Sequence, residues 1–322
     1  MEAGDGGPSP KLCAVSVDLD EIPFYHQIHG LSSADEKSAN AVFDVALLRL
    51  EDLSRSFGIP LTLFAIGSTL EREENARKLR AMASSGHELG NHSLHHRYDL
   101  TRLDAGEMAT EITGAQEAIE RATGVRPVGF RAPGYTVTDE LLGLVESAGF
   151  LYDSSVFPCP GYWAAKSLAM SAIRLKGRQS KSILDTPKVL LAPTRPYRIG
   201  HPYWKRGGGI WELPIQVTRV LRLPYIGTAL SLAGPRIARE LTRGVVGEPL
   251  VNLELHGIDV LDSGDGLDEL AKHQPDLTIT HQRKLETLGA ALDTLRGAGY
   301  RFVTLADAVR SFSGGAPTQP VS

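Results

Sequence analysis

Apolar and polar positions follow one repeating order along much of this chain. An amphipathic run ends at a glycine, and a short apolar run comes soon after it. The order occurs at Gly58 before LTLFAIG, Gly86 before HELGNHS, Gly124 before VRPVGFRAP, Gly149 before FLYDSS and Gly299 before YRFVTL. Glycine is favoured just past a helix because it takes the left-handed conformation without a Cβ clash. Five such junctions predict βα units in series, and hence a mainly parallel sheet or barrel.

Two amphipathic segments and three apolar segments support this fold class. Residues 41–57 and 104–122 are predicted helices, since their apolar residues recur at helical spacing. The apolar stripes are Phe43, Leu47, Leu50 and Phe57 in the first helix and Met108, Ile112, Ala115 and Ile119 in the second. The polar stripes are Asp44, Glu51 and Arg55 in the first and Glu107, Glu111 and Glu117 in the second. KLCAVSVDL, LTLFAIG and VNLELH are predicted buried strands, because strands covered on both faces are nearly continuous apolar runs.

The region 157–249 breaks this repeat, since it holds all three tryptophans and is rich in proline. Long connections are uncommon in compact domains unless they are functional. We predict an elaborated loop region over one end of a single barrel domain, residues 12–312, with one short strand near GIWELP. Residues 219–243 are amphipathic and basic, which fits either a core-facing helix pair or contact with a lipid surface. Residues 1–11 are a predicted N-terminal extension and residues 313–322 a predicted disordered tail.

The composition fits a soluble globular protein, with 42% hydrophobic and 22% charged residues. A formal net charge of −4 gives no electrostatic case for nucleic acid, whose binders usually carry a basic face. Cys13 and Cys159 are too few for a disulfide framework. The N-terminus lacks the basic and apolar regions of a signal peptide, and no stretch reaches the ~20 apolar residues of a spanning helix. We therefore expect a cytoplasmic protein, either free in solution or peripheral at the inner membrane face.

The first candidate site residues are Asp18 and Asp20, at the end of the first apolar strand. Side chains alternate along a strand, so both carboxylates project to the same side. Two buried carboxylates side by side repel each other unless a cation lies between them. If the strand ends before Asp18, both are ordinary surface residues, so the pair alone does not decide between the two interpretations.

The second candidate is the histidine-rich segment NHSLHH, which follows another predicted strand. His92 and His96 are four positions apart, so a helical turn beginning here would place both imidazoles on one face. Metal-binding histidine pairs often use this spacing. His95 competes for the same role, and a polar loop rich in histidine is the structural alternative. The position after a strand places the segment at the C-terminal rim of a barrel.

Together, Asp20, His92 and His96 offer one oxygen and two nitrogens, with room for a water molecule. Three protein ligands with an open position are typical of a catalytic zinc site. Such a metal lowers the pKa of its water toward neutrality and polarises a carbonyl oxygen. Asp18, which is not needed as a ligand, could take the proton of that water.

Two further positions complete the candidate chemistry. Arg131, in GFRAPGY, follows another apolar strand and either clamps a carboxylate with its rigid fork or is an ordinary surface arginine in a turn. His256 ends the strand VNLEL, and a lone histidine there is more often structural. Beside a metal-bound water, however, a histidine supplies what amide cleavage needs, because the leaving nitrogen must be protonated.

Taken in their order along the chain, these candidate residues resemble the motifs of the polysaccharide deacetylase superfamily, the nodulation-type carbohydrate esterases of family 4. The matching motifs are Asp-x-Asp at 18–20, His-Ser-x-x-His at 92–96, Arg-x-Pro at 131–133 and His256. The resemblance covers residues 12–155 and 250–310. The Asp-x-Asp form, in place of adjacent aspartates, is similar to a subgroup that includes cytoplasmic peptidoglycan-deacetylase relatives and deformylases of lipid-linked amino sugars.

The resemblance implies an α/β fold, a distorted (β/α) barrel of about seven strands of the NodB type. It implies one divalent metal, with Zn²⁺ favoured over Co²⁺, Ni²⁺, Mn²⁺ or Fe²⁺, and these ligands: Asp20, His92 and His96. Asp18 would be the general base and His256 the general acid, and Arg131 would pair with Asp18 and hold it ionised. The implied reaction is hydrolysis of the N-acyl group of an amino sugar in a polysaccharide, an oligosaccharide or a glycoconjugate.

The substrate and oxyanion pocket is expected from Gly134 and Tyr135, directly after Arg-x-Pro, and from Trp211 and Glu212 in the segment WELP. The backbone amide after Pro133 would face the tetrahedral oxyanion beside the metal. The family often has an aromatic residue directly after Arg-x-Pro, whereas this chain has Gly134 there and Tyr135 one position later.

Two other departures from the family pattern concern the partners of the arginine and of the acid. The aspartate that orients the arginine in the family matches either Asp153 or Glu212. The usual Leu-x-His before the acid is altered, since Leu253 and Leu255 flank Glu254. The pocket for the acyl methyl group is therefore left open by the sequence.

Two other classes of function fit these residues less well. An iron-dependent oxygenase also uses two histidines and a carboxylate, but it usually holds them on antiparallel sheets and has no use for Asp18 and His256 together. An inactive carbohydrate-binding or lipid-binding relative would be expected to lack the base or the acid. The GGG run at 207–209 lacks the Gly-Lys-Ser/Thr of a phosphate loop, so no nucleotide is expected. Among hydrolase substrates, an N-acetyl amino sugar, a lipid-linked amino sugar at the inner membrane face and a non-sugar amide remain alternatives.

Overall fold

The computed structural model describes residues 11–32, 34–35, 38–175 and 183–314. Most of the predicted N-terminal extension, and residues 315–322 of the predicted tail, lie outside these ranges. The beginning of the predicted tail does contact the folded part of the chain. The Trp211 indole donates a hydrogen bond of 3.1 Å to the Ser313 hydroxyl.

The described residues form nine strands in one sheet, with helices between most of them. The strands are β1 (Leu12–Asp18), β2 (Leu61–Ala65), β3 (Glu88–Asn91), β4 (Gly129–Phe130), β5 (Tyr152–Asp153), β6 (Tyr197–Ile199), β7 (Arg206–Glu212), β8 (Leu250–His256) and β9 (Arg301–Phe302). The α-helices are α1 (Ile22–His29), α2 (Leu47–Phe57), α3 (Glu73–Ser84), α4 (Ala105–Thr123), α5 (Asp139–Ser147), α6 (Pro160–Leu175), α7 (Gly227–Arg243), α8 (Asp268–Ala271), α9 (His281–Gly297) and α10 (Leu305–Phe312).

The strand order is β6-β7-β5-β4-β3-β2-β1-β8, and β9 joins the beginning of β1. Neighbouring strands are parallel except for the β6–β7 pair, which is antiparallel. The prediction of βα units in series is therefore confirmed. The strand number exceeds the expected seven because β6 adds an edge strand beside β7 and β9 adds a short strand beside β1.

An irregular segment after β7 closes the gap between the two ends of the sheet. The backbone amide of Gln216 donates to the carbonyl oxygen of Asn252 in β8 at 3.2 Å. Ile226 forms a parallel bridge with Glu254, also in β8. The Asn252 side-chain amide donates to the carbonyl oxygen of Leu213 at 3.0 Å. The sheet therefore closes into a distorted barrel, as expected.

The glycine junctions have the backbone conformation that the sequence predicts. Their φ angles are all positive: 57° at Gly58, 88° at Gly86, 76° at Gly124, 84° at Gly149 and 83° at Gly299. Because L side chains rarely adopt this conformation, glycine ends each helix at low cost and turns the chain into the next strand.

Both predicted helices are present, with two corrections. The first begins as a π-helical turn, Val42–Ala46, before α2. The second is α4, and its predicted apolar stripe is buried throughout. Glu111, predicted to lie on the polar stripe, is buried instead, because its carboxylate contacts the histidine segment described below.

The largest apolar cluster packs the sheet against α2 and α9. Val17, Leu63 and Leu255 come from three neighbouring strands, and Leu50 and Leu288 come from the two helices. All five are buried. This packing fixes the ends of β1 and β8, which carry the candidate catalytic residues.

The region 157–249 is more regular than the loop that the sequence predicts. It contains α6 and α7, and it holds an antiparallel pair of strands where one was expected. Helix α7 packs against α9 and buries Leu230 and Ala238, in agreement with the core-facing alternative for this segment. It is kinked at Gly234, which has a φ of 74° and precedes Pro235. In the described ranges, no helix has the length and apolar character needed to cross a membrane.

Candidate metal centre and active site

Four strands deliver polar side chains to one rim of the barrel. Asp18 and His256 are the last residues of β1 and β8 and are paired in register. His92 directly follows β3, and Arg131 directly follows β4. Because the carboxyl ends of parallel strands meet at one edge, positions far apart in the chain converge here.

Three of the converging side chains present ligand atoms to one point. Asp20 Oδ1 lies 3.2 Å from His92 Nε2 and 3.2 Å from His96 Nε2. The two Nε2 atoms are also 3.2 Å apart. All three residues are buried. The atoms therefore form a nearly equilateral triangle of one oxygen and two nitrogens.

This triangle fits a divalent cation. A tetrahedral zinc ion with bonds of about 2.0–2.1 Å separates neighbouring ligand atoms by roughly 3.3–3.4 Å, close to the observed edges. Within the described part of the chain, Asp20 Oδ1 is buried without a hydrogen-bond partner. A buried oxygen in that state is costly unless a cation or another donor satisfies it. The residues present thus suit a metal with a His₂Asp ligand set.

The contacts of His92 also favour metal binding. Its Nδ1 atom lies 2.7 Å from the carbonyl oxygen of Arg131. A carbonyl oxygen only accepts, so Nδ1 carries the hydrogen and the Nε2 lone pair faces the triangle. Burial disfavours the charge of Asp20, but His96 and His92 hold the pKa of this carboxyl well below its ordinary value. Asp20 therefore offers an anionic oxygen to a cation.

The two histidines meet through a loop and not through the helical turn that the sequence suggested. The chain after β3 is irregular, and Ser93 and His96 have positive φ angles of 63° and 52°. Asn91 Oδ1 accepts a hydrogen bond from the Ser93 amide at 2.8 Å, and Ser93 Oγ accepts one from the His96 amide at 3.0 Å. These local hydrogen bonds hold the strained turn that brings the imidazoles together.

His95, the alternative ligand, is directed elsewhere. Its side chain is 59% exposed, and its Nδ1 atom lies 2.7 Å from Glu111 Oε1. The other Glu111 oxygen accepts a hydrogen bond of 2.9 Å from the His95 backbone amide. Glu111 therefore anchors the loop from α4 and keeps His95 away from the triangle.

Arg131 and Asp18 form a fully buried ion pair beside the metal-ligand triangle. Arg131 Nη1 donates to Asp18 Oδ1 at 2.7 Å. Nη2 donates to the hydroxyls of Ser16 and Ser154, both at 2.9 Å, and Nε donates to the Ser154 carbonyl oxygen at 2.8 Å. The guanidinium also lies 4.2 Å from the centre of the Phe64 ring. It is thus held rigidly.

The orientation of the guanidinium differs from the expectation. Ser154 orients the guanidinium of Arg131, whereas Asp153 or Glu212 was expected to do so. Asp153 instead accepts hydrogen bonds from the amide and hydroxyl of Ser155, at 3.0 and 2.7 Å. That hydroxyl accepts one from the Ala132 amide at 2.8 Å, so Asp153 supports the backbone next to the arginine.

Glu212 lies in the barrel interior beside Asp153. One of its oxygens accepts a hydrogen bond of 3.1 Å from the Val156 amide. Burial and the neighbouring charge of Asp153 raise the pKa of Glu212 well above its ordinary value. Two buried carboxyl groups so close share a proton. Glu212 is therefore structural and lies outside the cavity lining, which corrects its assignment to the substrate pocket.

Trp211 is also outside the cavity lining. It is one residue before Glu212 on β7, so its side chain projects to the opposite face of the sheet. There it packs against Phe312, with ring centres 5.7 Å apart. The Trp211 side chain therefore lies away from the cavity, which corrects its assignment to the substrate pocket.

The His256 imidazole lies between the carboxyl group of Glu254 and the hydroxyl of Tyr135. Its Nδ1 atom is 2.9 Å from Glu254 Oε1, and its Nε2 atom is 3.1 Å from the Tyr135 hydroxyl. Burial disfavours the imidazolium, but the buried Glu254 carboxylate raises the pKa of His256 well above its ordinary value. The Glu254 carboxylate therefore favours the protonated form of His256.

Glu254 is a candidate functional residue that was not predicted from the sequence. It is completely buried, and it is two positions before His256 on the same strand. Residues two apart in a strand share a face, so the Glu-x-His spacing was the available signal.

The candidate site residues open into a cavity of about 460 Å³. Asp18, Asp20, His92 and His256 lie in its wall, and so do Gly134 and Tyr135, as predicted from the sequence. The Gly134 carbonyl oxygen accepts a hydrogen bond of 2.9 Å from Lys166 Nζ in α6. Burial lowers the pKa of Lys166 to about 8. Lys166 in α6 therefore holds the loop after Arg131 in place.

Part of the chain is similar to known proteins. The family model described as polysaccharide deacetylase matches residues 36–152, which include the segments of His92, His96 and Arg131. A peptidoglycan deacetylase-like protein of Gibberella zeae is 32% identical over 153 residues, covering 44% of this chain and 43% of that protein. A chitooligosaccharide deacetylase of a Bradyrhizobium species is 30% identical over 129 residues, covering 38% of this chain and 58% of that protein. The matches thus span less than two thirds of these relatives.

Solved structures share the fold over nearly the whole chain. A probable polysaccharide deacetylase from Pseudomonas aeruginosa has a TM-score of 0.55 at 15% identity, with 96% of this chain and 92% of that one covered. The CE4 domain of a multidomain xylanase from the hindgut metagenome of Trinervitermes trinervoides has a TM-score of 0.51 at 14% identity, with 97% and 95% covered. At these identities the likeness concerns the fold alone.

The fold and the site define a distorted (β/α) barrel with a cluster of candidate metal ligands at the C-terminal rim. Residues 36–152 match the polysaccharide deacetylase family model, and relatives named as deacetylases are similar to less than half of this chain. The chain thus resembles the polysaccharide deacetylases.

Proposed function

We propose that this protein is a metal-dependent deacetylase that hydrolyses the N-acyl group of an amino sugar. The observation that carries the proposal is the triangle of Asp20, His92 and His96, next to an acid and a base in one cavity. The names of the relatives support the reaction class, since they include peptidoglycan and chitooligosaccharide deacetylases. The substrate is an N-acylated amino sugar in an oligosaccharide, a polysaccharide or a glycoconjugate.

Asp20, His92 and His96 would hold one divalent ion, with Zn²⁺ favoured by the two nitrogens and the compact triangle. When bound, this ion would polarise the acyl carbonyl and increase the acidity of a water molecule. The tautomer of His92, fixed by the Arg131 carbonyl oxygen, keeps one ligand nitrogen ready for it.

Asp18 is the proposed general base. Arg131 engages its Oδ1 atom, while Oδ2 lies 3.7 Å from His92 Nε2 and, among the described residues, accepts no hydrogen bond. This oxygen therefore faces the ligand triangle and can accept the proton of an attacking water molecule. The buried ion pair fixes the direction of approach.

His256 is the proposed general acid. Its pKa, raised by Glu254, keeps a proton available for the leaving nitrogen. Hydrolysis adds the water oxygen to the acyl carbon and breaks the carbon–nitrogen bond, so an acid and a free amine result. Asp18 and His256 are paired in register on adjacent strands, so the proposed base and the proposed acid lie side by side in the cavity wall.

The turn after Arg131 is the proposed oxyanion site. Gly134 and Tyr135 line the cavity with positive φ angles of 62° and 59°. The Tyr135 amide donates to the Ala132 carbonyl oxygen, so the Gly134 amide is the candidate donor toward the oxyanion. Lys166 holds the carbonyl side of the same residue.

Acetate release from N-acetylglucosamine oligomers and from peptidoglycan fragments tests this function. The protein is dialysed against a chelator and assayed before and after one equivalent of Zn²⁺, Co²⁺ or Mn²⁺. We expect release that depends on added metal and disappears in the Asp18→Asn variant. A metal-loaded wild-type protein that releases no acetate from any of these substrates would favour an inactive relative or a different amide substrate. Oxygen uptake in the presence of Fe²⁺ would instead favour an oxygenase.

A further inference from the structure

The cavity beyond the catalytic residues has a largely apolar wall. Six residues from four segments form much of it: Ile28, Tyr162, Ala165, Pro224, Ala229 and Leu232. They come from α1, from α6, from the segment between β7 and α7, and from α7 itself. A volume of about 460 Å³ is in the range of small-molecule pockets, which bury most of their ligand.

The polar residues of this part of the wall already have partners within the protein. His29 Nε2 lies 3.0 Å from Gln274 Oε1, and Lys166 Nζ donates to the Gly134 carbonyl oxygen at 2.9 Å. The Thr228 hydroxyl donates to Asp259 at 2.8 Å. A row of sugar hydroxyls needs several available donors and acceptors, and these contacts reduce what the wall offers.

Available polar groups lie close to the ligand triangle instead. The hydroxyls of Tyr25 and Tyr98 are buried without hydrogen-bond partners among the described residues, and both side chains line the cavity. The Tyr98 ring centre is 4.7 Å from that of His96, and the Tyr25 ring centre is 6.4 Å from that of His256. Thus the catalytic end of the cavity can pair with an amide and a sugar ring.

We propose that the cavity takes an amphiphilic amide, in which an aliphatic chain lies against the apolar wall while the amino sugar lies at the metal end. This inference rests on the proposed deacetylase function and specifies the substrate class of that site. Leu232 supports it, because this residue lines the cavity and is still 55% exposed. The apolar surface therefore continues from the interior to the cavity mouth, where a chain can enter or leave.

Two adjacent alanines provide a matched pair of variants. Ala165 and Ala164 are consecutive, exposed residues of α6, and Ala165 alone of the two lines the cavity. Ala165→Phe fills part of the wall, whereas Ala164→Phe places the same side chain outside it. A general effect of a new aromatic residue on α6 would change both variants alike.

The test compares kcat/KM for N-acetylglucosamine, octyl N-acetyl-β-glucosaminide and N-octanoylglucosamine, all below their micelle concentrations. The two octyl compounds distinguish a chain on the sugar from a chain on the acyl group. Each methylene that enters an apolar wall adds about fourfold in affinity, so we expect at least about a tenfold preference for one octyl compound. Ala165→Phe should reduce that preference about tenfold or more, and Ala164→Phe should leave it within about twofold.

The outcomes separate this inference from the proposed function. Acetate release without a preference for either octyl compound, or equal effects of the two alanine variants, would overturn the inference and leave the deacetylase function intact. If no substrate is hydrolysed, the proposed function fails, and calorimetric binding of octyl β-glucoside decides the inference. We expect binding by the wild type and Ala164→Phe, with binding by Ala165→Phe much weaker. Absence of binding by the wild type would contradict the inference.

Discussion

His256 Nδ1 lies 2.9 Å from Glu254 Oε1, and both residues belong to the same strand, β8. The strand thus supplies the proposed acid together with the charge that stabilises its protonated form. Glu254 is completely buried, so its interaction with the imidazolium is weakly screened by solvent. Glu254 is a positioning residue, since it acts on the reaction through His256.

The first prediction concerns the pH dependence of kcat/KM in Glu254→Gln. A general acid works in its protonated form, so activity falls as pH rises through its pKa. Because Glu254 raises the pKa of His256, its loss should move the alkaline limb to lower pH by about one unit or more. The exposed Glu117→Gln is the matched control and should keep the wild-type profile. Superimposable alkaline limbs for Glu254→Gln and the wild type would refute the role of Glu254.

The second prediction separates the base from the metal ligands. Asp18→Asn should retain bound metal but lower kcat by about 10²-fold or more, the scale of acid–base catalysis. The amide keeps the shape of the carboxylate but cannot accept the proton as well. Elemental analysis of the purified variant and its rate of acetate release test both statements. Turnover close to that of the wild type would show that Asp18 is not the base.

The fold was largely predictable because it depends on short local patterns. Gly58 and Gly299, near opposite ends of the chain, both end a helix and precede a parallel strand, as the sequence predicted. Strand number was less predictable. β6 has only three residues and depends on a hairpin with β7, so it has no hydrophobic pattern long enough to recognise.

The site was predictable where chemistry and spacing agree, and less so where tertiary contacts decide. Asp20, His92 and His96 converge as proposed, although the two histidines meet through left-handed backbone at Ser93 and not through a helix. Sequence periodicity does not reveal such a turn. Trp211 was assigned to the pocket because the inward face of β7 depends on register, which only the folded sheet fixes.

The third prediction compares two neighbouring histidines. His92→Ala should lose the bound metal, because one of three ligand atoms is removed. His95→Ala should retain it, since that side chain is exposed and contacts Glu111. Metal content after dialysis at neutral pH is the measurement. Stoichiometric metal in His92→Ala together with its loss in His95→Ala would show that the ligand assignment is reversed.

The fourth prediction concerns stability. Arg131→Met removes the partner of a buried carboxylate, because Asp18 and Arg131 are both almost fully inaccessible to solvent. Breaking a buried pair from one side should lower the free energy of unfolding by about 3–5 kcal/mol. Arg97→Met removes an arginine from a half-exposed pair with Asp99 and should cost less than about 1 kcal/mol. Urea unfolding of the two variants measures both changes. Equal losses of unfolding free energy would contradict the structural role of Arg131.

Anomalous diffraction at the zinc edge, from crystals grown with one equivalent of Zn²⁺, examines the metal centre itself. We expect one strong peak per chain, at about 2.0–2.2 Å from Asp20 Oδ1 and from the Nε2 atoms of His92 and His96. A peak bound by other residues, or none between these three atoms in metal-loaded protein, would contradict the assignment of the site as a metal centre.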